Sequence, residues 1–237
     1  MILNKRSYRW FYDHIHSRYY DPMIKWFMLP LGGEARLRRR LLEPVSFGST
    51  DTILDMCCGT GSATFTIAEK AGRRARILGL DLSIGQLRRA RAKNHFPNIG
   101  FLQCDATSTS FLDNCFDKVF VTHAIHEMQR QDRLTTLTEA RRVLKPDGTV
   151  VVLELDDPKS LFVRMIVGFW FFYWLPFNFE TPTRRDMLRR GVVNEVMEAG
   201  FKDVTKASFL HGVLQVVQGR KCDGPGPADC GRATQCP

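Results

Sequence analysis

The stretch "LDMCCGTGSATF", residues 54–65, decides the fold of this chain. A short apolar run over residues 52–56 ends in a turn that carries Gly59 and Gly61. Residues 62–72 then show helical periodicity and end at a glycine. A buried strand that passes through a glycine turn into a helix is typical of the first unit of an α/β sheet. The pattern therefore predicts a ligand site at the end of this strand.

The same turn contains two adjacent cysteines, Cys57 and Cys58, which raise the alternative of a metal or redox site. A metal site needs further ligands at suitable spacing, and no CxxC or HxxxH pattern accompanies them. Small, soft side chains also fill tight turns beside a strand. We therefore interpret both cysteines as packing residues and predict no metal.

The chain continues the alternation of strands and helices, which predicts a doubly wound parallel α/β sheet with right-handed connections. After a further helix, two strands sit close enough in sequence to form an antiparallel hairpin at the edge of the sheet, giving seven strands in all. Further strands are predicted at 75–82, 99–106, 116–125, 149–156, 203–210 and 212–219, and helices at 83–95, 130–145 and 189–201.

Three segments are predicted to frame this core. Residues 1–45 are aromatic and basic and predict an N-terminal helical cap, and residues 46–218 form the α/β domain. Within that domain, residues 157–187 are an aromatic insertion after the fifth strand. Residues 219–237 are rich in glycine and proline and predict a disordered tail.

Composition narrows the cellular setting and the partners. The chain has 34 basic and 25 acidic residues among 237, a formal net charge of +9, which favours nucleic acid or a phospholipid surface, or else marks solvated helix faces. No secretory signal is recognisable, and seven cysteines without a regular framework favour reduced thiols in the cytoplasm. Residues 161–179 are apolar but interrupted by Arg164, Pro176 and Asn178, which favours a lid or an interfacial patch over a transmembrane helix.

Acidic residues follow the next two strands. Asp81 lies at the end of the second strand, at the separation from Gly61 that suits a carboxylate binding a ribose diol, and Asp105 ends the third strand. A dinucleotide fingerprint would have glycine at the position of Thr64, and a Walker loop would continue with Lys-Ser/Thr. Both of these nucleotide motifs are therefore excluded.

Asp55, the Gly59-Thr60-Gly61 turn, Asp81, Asp105 and "RVLKPDG" (142–148) together resemble the class I S-adenosylmethionine-dependent methyltransferases, over residues 51–156. The resemblance implies S-adenosyl-L-methionine as cofactor, with the turn from Cys57 to Gly61 against its methionine part, where many members have glycine in place of Cys57. The implied cofactor contacts are Asp55 to the amino group, Asp81 to the ribose, Leu82 to the adenine ring, Asp105 and the Ala106 backbone to the adenine edge, and His123 as a cover.

Within that class, the chain resembles the branch of small-molecule enzymes that contains the ubiquinone and menaquinone C-methyltransferases. The segment "SRYYDPMIKWFMLPLGGEARLRRRLLEPV" (17–45) carries that branch's Tyr-Asp pair, which places Tyr20 and Asp21 on a helix over the cofactor. The branch usually has Leu-Arg-Asn after the fourth strand, where this chain has Ala124-Ile125-His126. The resemblance implies a small lipophilic acceptor, either a quinone precursor or another membrane-associated molecule.

His126 is the first candidate for a general base, since it lies just beyond a strand end and histidine titrates near neutral pH. His123 and Glu127 are the other candidates, and a capping or packing role for His126 is the alternative. Many enzymes of this class work without a dedicated base.

The aromatic side chains of 161–179 favour an apolar substrate pocket or peripheral contact with a membrane, with a buried helix or a dimer contact as the alternative. Two other functions stay open. The charge would suit an RNA methyltransferase, although no RNA-binding module or Asn/Asp-Pro-Pro-Tyr motif is visible, which makes nucleic acid the weaker partner. A non-catalytic cofactor-binding accessory protein is the second. The oligomeric state is not predicted.

Overall fold

The structure is a computed structural model that describes residues 10, 12–29, 32–165, 168 and 181–222, without the side chains of residues 15–20, 23, 27 and 181. The strands are β1 (Thr52–Met56), β2 (Arg76–Asp81), β3 (Ile99–Gln103), β4 (Phe116–Thr122), β5 (Leu144–Leu155), β6 (Lys202–Phe209) and β7 (Leu214–Arg220). The α-helices are α1 (Ser17–Met28), α2 (Glu34–Leu41), α3 (Ser62–Ala71), α4 (Ile84–Lys93), α5 (Arg130–Val143), α6 (Thr181–Arg190) and α7 (Val192–Glu198).

The seven strands form one sheet in the order β3-β2-β1-β4-β5-β7-β6. The first five in this order are parallel, whereas β7 runs antiparallel to both β5 and β6. The predicted doubly wound sheet with an antiparallel C-terminal edge hairpin is therefore confirmed. The chain order reverses beside β1, between β1 and β4, which is where an open α/β sheet binds its ligand.

Both faces of the sheet are covered, which explains why the central strands are apolar along their length. Neighbouring residues along a strand belong to different core clusters: Leu54 and Val119 to one, Ile53 and Phe120 to the other. All four side chains are fully buried. Because side chains alternate across a strand, the two clusters lie on opposite faces of the sheet.

The fifth parallel strand begins earlier than its sequence predicts. Helix α5 ends at Val143 rather than at the predicted Lys145, and Leu144 pairs with Phe116 of β4. The register shifts between residues 116 and 118 of β4. Since Pro146 cannot donate a backbone hydrogen bond, the chain passes through this irregularity before regular pairing resumes at Thr149.

The two chain ends are partly described. Before α1, residues Tyr12–His16 form a π-helical turn, while residues 1–9 and 11 of the predicted cap lie outside the described residues. The prediction that residues 219–237 are a disordered tail is wrong for its first residues, because strand β7 continues to Arg220. Lys221 Nζ then donates to Leu144 O at 2.8 Å and to Asn114 Oδ1 at 2.6 Å. Residues 223–237 lie outside the described part.

The aromatic insertion is described mainly at its two ends, since residues 166–167 and 169–180 lie outside the described residues. Residues 161–165 are helical, with Leu161 72% exposed and Phe162 67% exposed. Across the described parts of the chain, no helix has the length and apolar character needed to cross a membrane.

Candidate active site

A cleft of about 590 Å³, counting the space open to solvent at its mouth, lies at the carboxyl ends of β1, β2 and β4. The cleft is lined by Tyr12, Arg38, Cys57, Cys58, Gly59, Thr60, Ser62, Ala63, Asp81, Gln86, Thr122, His123, Ala124 and Glu127. It brings together five residues that the sequence predicts to contact a cofactor, namely Cys57, Gly59, Thr60, Asp81 and His123.

The turn after β1 has three residues in the left-handed region of the backbone: Cys57 at φ 61°, Gly59 at φ 56° and Gly61 at φ 83°. A Cβ placed on Gly59 would meet nothing within 4 Å, so the backbone there is open. A Cβ on Gly61 would lie 2.9 Å from the ring of Phe65 and 3.2 Å from Ala90. Gly61 thus allows the turn to pack against α3 and α4, while Gly59 leaves room for a ligand.

The paired cysteines have the surroundings of packing residues. Cys58 is buried, and a Cβ at Gly79 would lie only 2.9 Å from its Sγ, so the thiol fills the space above a glycine in β2. Burial raises the pKa of both the Cys57 and the Cys58 thiol well above the usual range, aided by nearby carboxylates, which keeps them protonated. Among the described residues, no three His, Cys, Asp or Glu side chains are grouped to hold a metal ion.

Asp55 is fully buried beneath this turn. Its Oδ2 accepts a 2.6 Å hydrogen bond from Thr64 Oγ1, whereas its Oδ1 has no hydrogen-bond partner among the described residues. Burial raises the pKa of Asp55 to about 7. Thr64 therefore orients this carboxylate and leaves one of its oxygens without a partner. The sequence indicated only that Thr64 does not fit a dinucleotide motif, not that it contacts Asp55.

Asp81 joins the turn to the start of α4. Its Oδ2 accepts from the backbone N–H of Gly59 at 2.9 Å, and its Oδ1 accepts from that of Ser83 at 2.8 Å. Burial raises the pKa of Asp81 to about 6, against the opposing effect of these backbone donors. The carboxylate is thus fixed at the end of β2, on the wall of the cleft.

The other predicted adenine-side residues lie near Asp81 but outside the cleft lining. Leu82 follows β2 directly, and the Cys104 N–H donates to Asp81 O at 3.1 Å, which holds the end of β3 beside the end of β2. Asp105 Oδ1 accepts from the backbone N–H and the Oγ1 of Thr107 at 2.9 and 2.7 Å, and Ala106 is buried.

A second polar cluster lies at the carboxyl ends of β4 and β5. His126 belongs to a single 3₁₀ turn, Ile125–Glu127, and its Nδ1 lies 2.8 Å from Oε1 of the buried Glu154 in β5. Burial would raise the pKa of Glu154, but the His126 imidazole and its hydrogen bond hold it below its ordinary value. Sequence reasoning did not identify Glu154, although a glutamate within the apolar run "VVVLEL" is an unusual occupant of a buried strand.

His123 and Glu127 face the cleft from the same cluster, whereas His126 is not among the described residues that line it. His123 has a φ of 49°, its N–H donates to Leu153 O at 2.8 Å, and burial lowers its pKa to about 4, so the ring is neutral at physiological pH. Glu127 Oε1 lies 3.9 Å from His126 Nε2 and accepts a 2.7 Å hydrogen bond from Tyr12 Oη.

The segment before the sheet closes over this cleft. Asp13 Oδ1 accepts from Ser83 Oγ at 2.6 Å and from the Gly85 N–H at 3.0 Å. Asp21, on α1, accepts from Thr60 Oγ1 at 2.6 Å and pairs with Lys93 Nζ at 2.8 Å. The sequence predicted this neighbourhood for Asp21; Tyr20 lies on the same helix, and its side chain is outside the described residues.

Comparison with known proteins finds methyltransferases both by sequence and by fold. The sequence model described as "Methyltransferase domain" matches residues 53–148. The chain is 32% identical to an uncharacterised methyltransferase of Synechocystis over 197 residues, 81% of this chain and 86% of that protein. It is 29% identical to a demethylmenaquinone methyltransferase of Staphylococcus epidermidis over 203 residues, 78% of this chain and 81% of that protein. A SAM-dependent methyltransferase of Aquifex aeolicus has the same fold, with a TM-score of 0.61, 16% identity, and coverage of 83% and 98% of the two chains.

The fold and the cleft define a Rossmann-like enzyme of the methyltransferase type. The chain belongs to the class I S-adenosylmethionine-dependent methyltransferases. The residues present suit that cofactor: the open backbone at Gly59 leaves space for a ligand, and the unpartnered Oδ1 of Asp55 offers a buried acceptor for an ammonium group. A buried carboxylate oxygen without a partner is costly, and a bound cation would remove that cost.

Proposed function

We propose that this enzyme transfers a methyl group from S-adenosylmethionine to a small lipophilic acceptor, with a quinone precursor as the favoured class. The observation that carries the proposal is the position of the Tyr12–Glu127 pair and His123 on the same cleft as the glycine turn, with the His126–Glu154 pair directly behind them. Acid-base groups beside a cofactor turn suit an acceptor that must lose a proton. The relatives named demethylmenaquinone methyltransferase support the quinone class.

The cofactor residues we propose are those that the resemblance implies. The methionine part lies against Cys57–Gly61 with Thr60 in the turn, and Asp55 Oδ1 accepts from the ammonium group. Asp81 binds the ribose hydroxyls while retaining its backbone donors, because each carboxylate oxygen can accept more than one hydrogen bond. Leu82, Asp105 and Ala106 form the adenine side, next to Asp81, and His123 covers the cofactor from the end of β4. Tyr20 adds to the cover from α1.

When bound, S-adenosylmethionine would supply a methyl carbon bonded to a positively charged sulfur. An electron-rich atom of the acceptor would take this methyl group, and the sulfur would leave as a neutral thioether. The protein's part is to hold the acceptor in line with that carbon and to remove its proton. Glu154 is ionised and accepts only, so the 2.8 Å contact places the proton of His126 on Nδ1 and the lone pair on Nε2. We propose that the acceptor's proton passes to His126 Nε2 by way of Glu127, which lines the cleft and whose Oε1 lies 3.9 Å from that nitrogen. His123, whose pKa lies at about 4, is the weaker base.

The exposed apolar side chains support a lipophilic acceptor. Leu161, Phe162 and Met165 follow β5 and are 72%, 67% and 59% exposed, and Trp26 on α1 is 50% exposed. Residues 161–165 follow the carboxyl end of β5, and α1 contacts the glycine turn after β1 through the hydrogen bond from Thr60 to Asp21. Exposed apolar side chains on such segments suit peripheral contact with a membrane surface. We therefore propose that the enzyme makes peripheral contact with a membrane. A cytoplasmic location is proposed on the separate ground that its seven cysteines follow no disulfide framework.

The proposal is tested by incubating the protein with S-adenosylmethionine labelled in the methyl group and with lipid, RNA and protein fractions of a cell extract. We expect label in the quinone-containing lipid fraction and much less with Asp81→Ala. Label in RNA would replace the proposal with RNA methylation. Cofactor binding without label in any fraction would favour a non-catalytic accessory protein.

A further inference from the structure

A single arginine provides the positive charge of the cleft. Arg38 lies on α2, and its side chain is 11% exposed, although its neighbour Arg39 is 55% exposed. Among the described residues that line the cleft, Arg38 is the only lysine or arginine, whereas Asp81 and Glu127 contribute carboxylates.

The guanidinium of Arg38 is held at one nitrogen and available at the others. Its Nε donates to Glu34 Oε1 at 2.9 Å, one helical turn earlier. No hydrogen bond from its two terminal nitrogens to a described residue is present in the structure. Arg38 lines the cleft together with Cys57, which follows β1, and His123, which follows β4. Burial is the largest effect on the pKa of both Asp55 and His123, and the charge of Arg38 lowers both values, in agreement with this position.

The amino-acid end of S-adenosylmethionine carries an ammonium group and a carboxylate on the same carbon. Asp55 can satisfy the ammonium group, but a carboxylate in a cleft lined by Asp81 and Glu127 would be repelled without a cation. A guanidinium with two free nitrogens binds a carboxylate through two parallel hydrogen bonds. We propose that Arg38 binds the carboxylate of the cofactor's amino-acid end, opposite Asp55. This inference rests on the proposed placement of the methionine part at Cys57–Gly61.

Glu34 has the complementary role of a positioning residue. Its bond to Nε fixes the plane of the guanidinium, and its own side chain is 13% exposed, so the pair differs from an ordinary solvated i,i+4 pair. With Nε engaged by Glu34, the fork of two terminal nitrogens is left for another acceptor. A carboxylate of the acceptor could use the same fork, and the experiment below separates that source from the cofactor.

The test is calorimetric and needs no turnover. S-adenosylhomocysteine and 5′-methylthioadenosine share the adenosine and the sulfur, but only the first has the amino-acid end. Their affinities are measured for the wild type, for Arg38→Gln and for Arg40→Gln, an exposed position on the same helix. We expect Arg38→Gln to weaken S-adenosylhomocysteine binding about 10- to 100-fold, the effect of losing a charge-assisted contact, and to leave methylthioadenosine binding unchanged. Arg40→Gln should change neither.

Each other outcome overturns the inference. Equal weakening of both ligands would mean that Arg38 shapes the cleft without contacting the carboxylate. Unchanged affinity for both, with a raised acceptor KM in Arg38→Gln, would assign the fork to the acceptor. A wild type that binds neither ligand would overturn the proposed cofactor site itself, which is a different result from normal wild-type binding with an insensitive Arg38→Gln. Melting curves of each variant confirm that it is folded.

Discussion

Oε1 of Glu154 lies 2.8 Å from Nδ1 of His126, across two neighbouring strand ends, and the glutamate is buried without exposure of its side chain. The same oxygen accepts from the Leu155 N–H at 2.7 Å, so the carboxylate cannot turn away from the imidazole. A base whose tautomer is fixed by a buried carboxylate is a recurring arrangement in enzymes that remove protons. The relationship makes Glu154 a positioning residue for the proposed base.

Glu154→Gln is expected to reduce kcat about 10- to 100-fold, because the amide keeps the shape of the carboxylate but no longer stabilises a protonated His126. The KM of the acceptor and the affinity for S-adenosylhomocysteine should change little, since Glu154 contacts neither in the proposed site. Steady-state kinetics with a saturating cofactor, together with calorimetry, measure both. A loss of cofactor affinity equal to the loss of kcat would instead indicate a structural role.

Asp55 should make cofactor binding depend on pH. Its pKa is raised by burial from an ordinary 3.8 to about 7, so below pH 7 most of the protein holds a proton there, and an ammonium group must displace it. Affinity for S-adenosylhomocysteine should therefore be roughly tenfold weaker at pH 6 than at pH 8, with Asp81 contributing a further factor of about two.

Calorimetry in two buffers of different ionisation enthalpy would show proton release on binding below pH 7. Asp55→Asn should bind more weakly and lose most of the pH dependence. In the absence of cofactor, the effect of pH on folding stability has the opposite sign to its effect on cofactor affinity. Because the folded state binds the extra proton at Asp55, the contribution of Asp55 to the free energy of unfolding falls as pH rises from about 4 to 7 and is then level. Cofactor affinity that does not change between pH 6 and 8 would contradict the placement of the ammonium group at Asp55.

Cys57 occupies a backbone conformation that favours glycine, at φ 61°. Cys57→Val is expected to lower the free energy of unfolding by about 1–2 kcal/mol, because a β-branched residue is poorly tolerated in the left-handed region. Cys57→Gly should leave stability within about 1 kcal/mol of the wild type and preserve cofactor affinity. Urea denaturation of the two variants measures the difference. Equal stability of the valine and glycine variants would show that the turn relaxes.

The sequence was sufficient for the sheet and for the glycine turn after β1 because both depend on local patterns. Buried parallel strands are apolar runs, and the glycines at 59 and 61 are required by positive φ values. It was not sufficient for contacts between distant residues. Glu154 and His126 are 28 positions apart, and Tyr12 and Glu127 are 115 apart, so no spacing rule relates them. The first pair depends on strand order, which places the ends of β4 and β5 side by side, and the second depends on where the turn Tyr12–His16 packs against the sheet.

The exposed apolar residues after β5 predict membrane association. Replacing Leu161 and Phe162 together with serine should reduce binding to liposomes that contain anionic lipid, measured by co-sedimentation. Leu112→Ser is a matched control, since Leu112 is 79% exposed but precedes β4, at the opposite end of the sheet. Equal effects of the two changes would show that general surface hydrophobicity, not this site, determines the binding.

Gly85 packs against the backbone of the N-terminal segment at Asp13. A Cβ there would lie 2.5 Å from the backbone oxygen of Asp13, so Gly85→Ala must displace the turn that carries Tyr12. Gly85 lies in the first turn of α4, where alanine favours the helix by about 0.5–1 kcal/mol. We therefore expect the α/β domain to be as stable as the wild type or more so, while S-adenosylhomocysteine dissociates faster and protease cleaves more readily near residue 13.

Asp13→Asn, which keeps the size of the side chain but weakens its bonds to Ser83 and Gly85, should give a smaller change in the same direction. Unchanged dissociation and protection in Gly85→Ala would mean that the segment does not close the cofactor cleft.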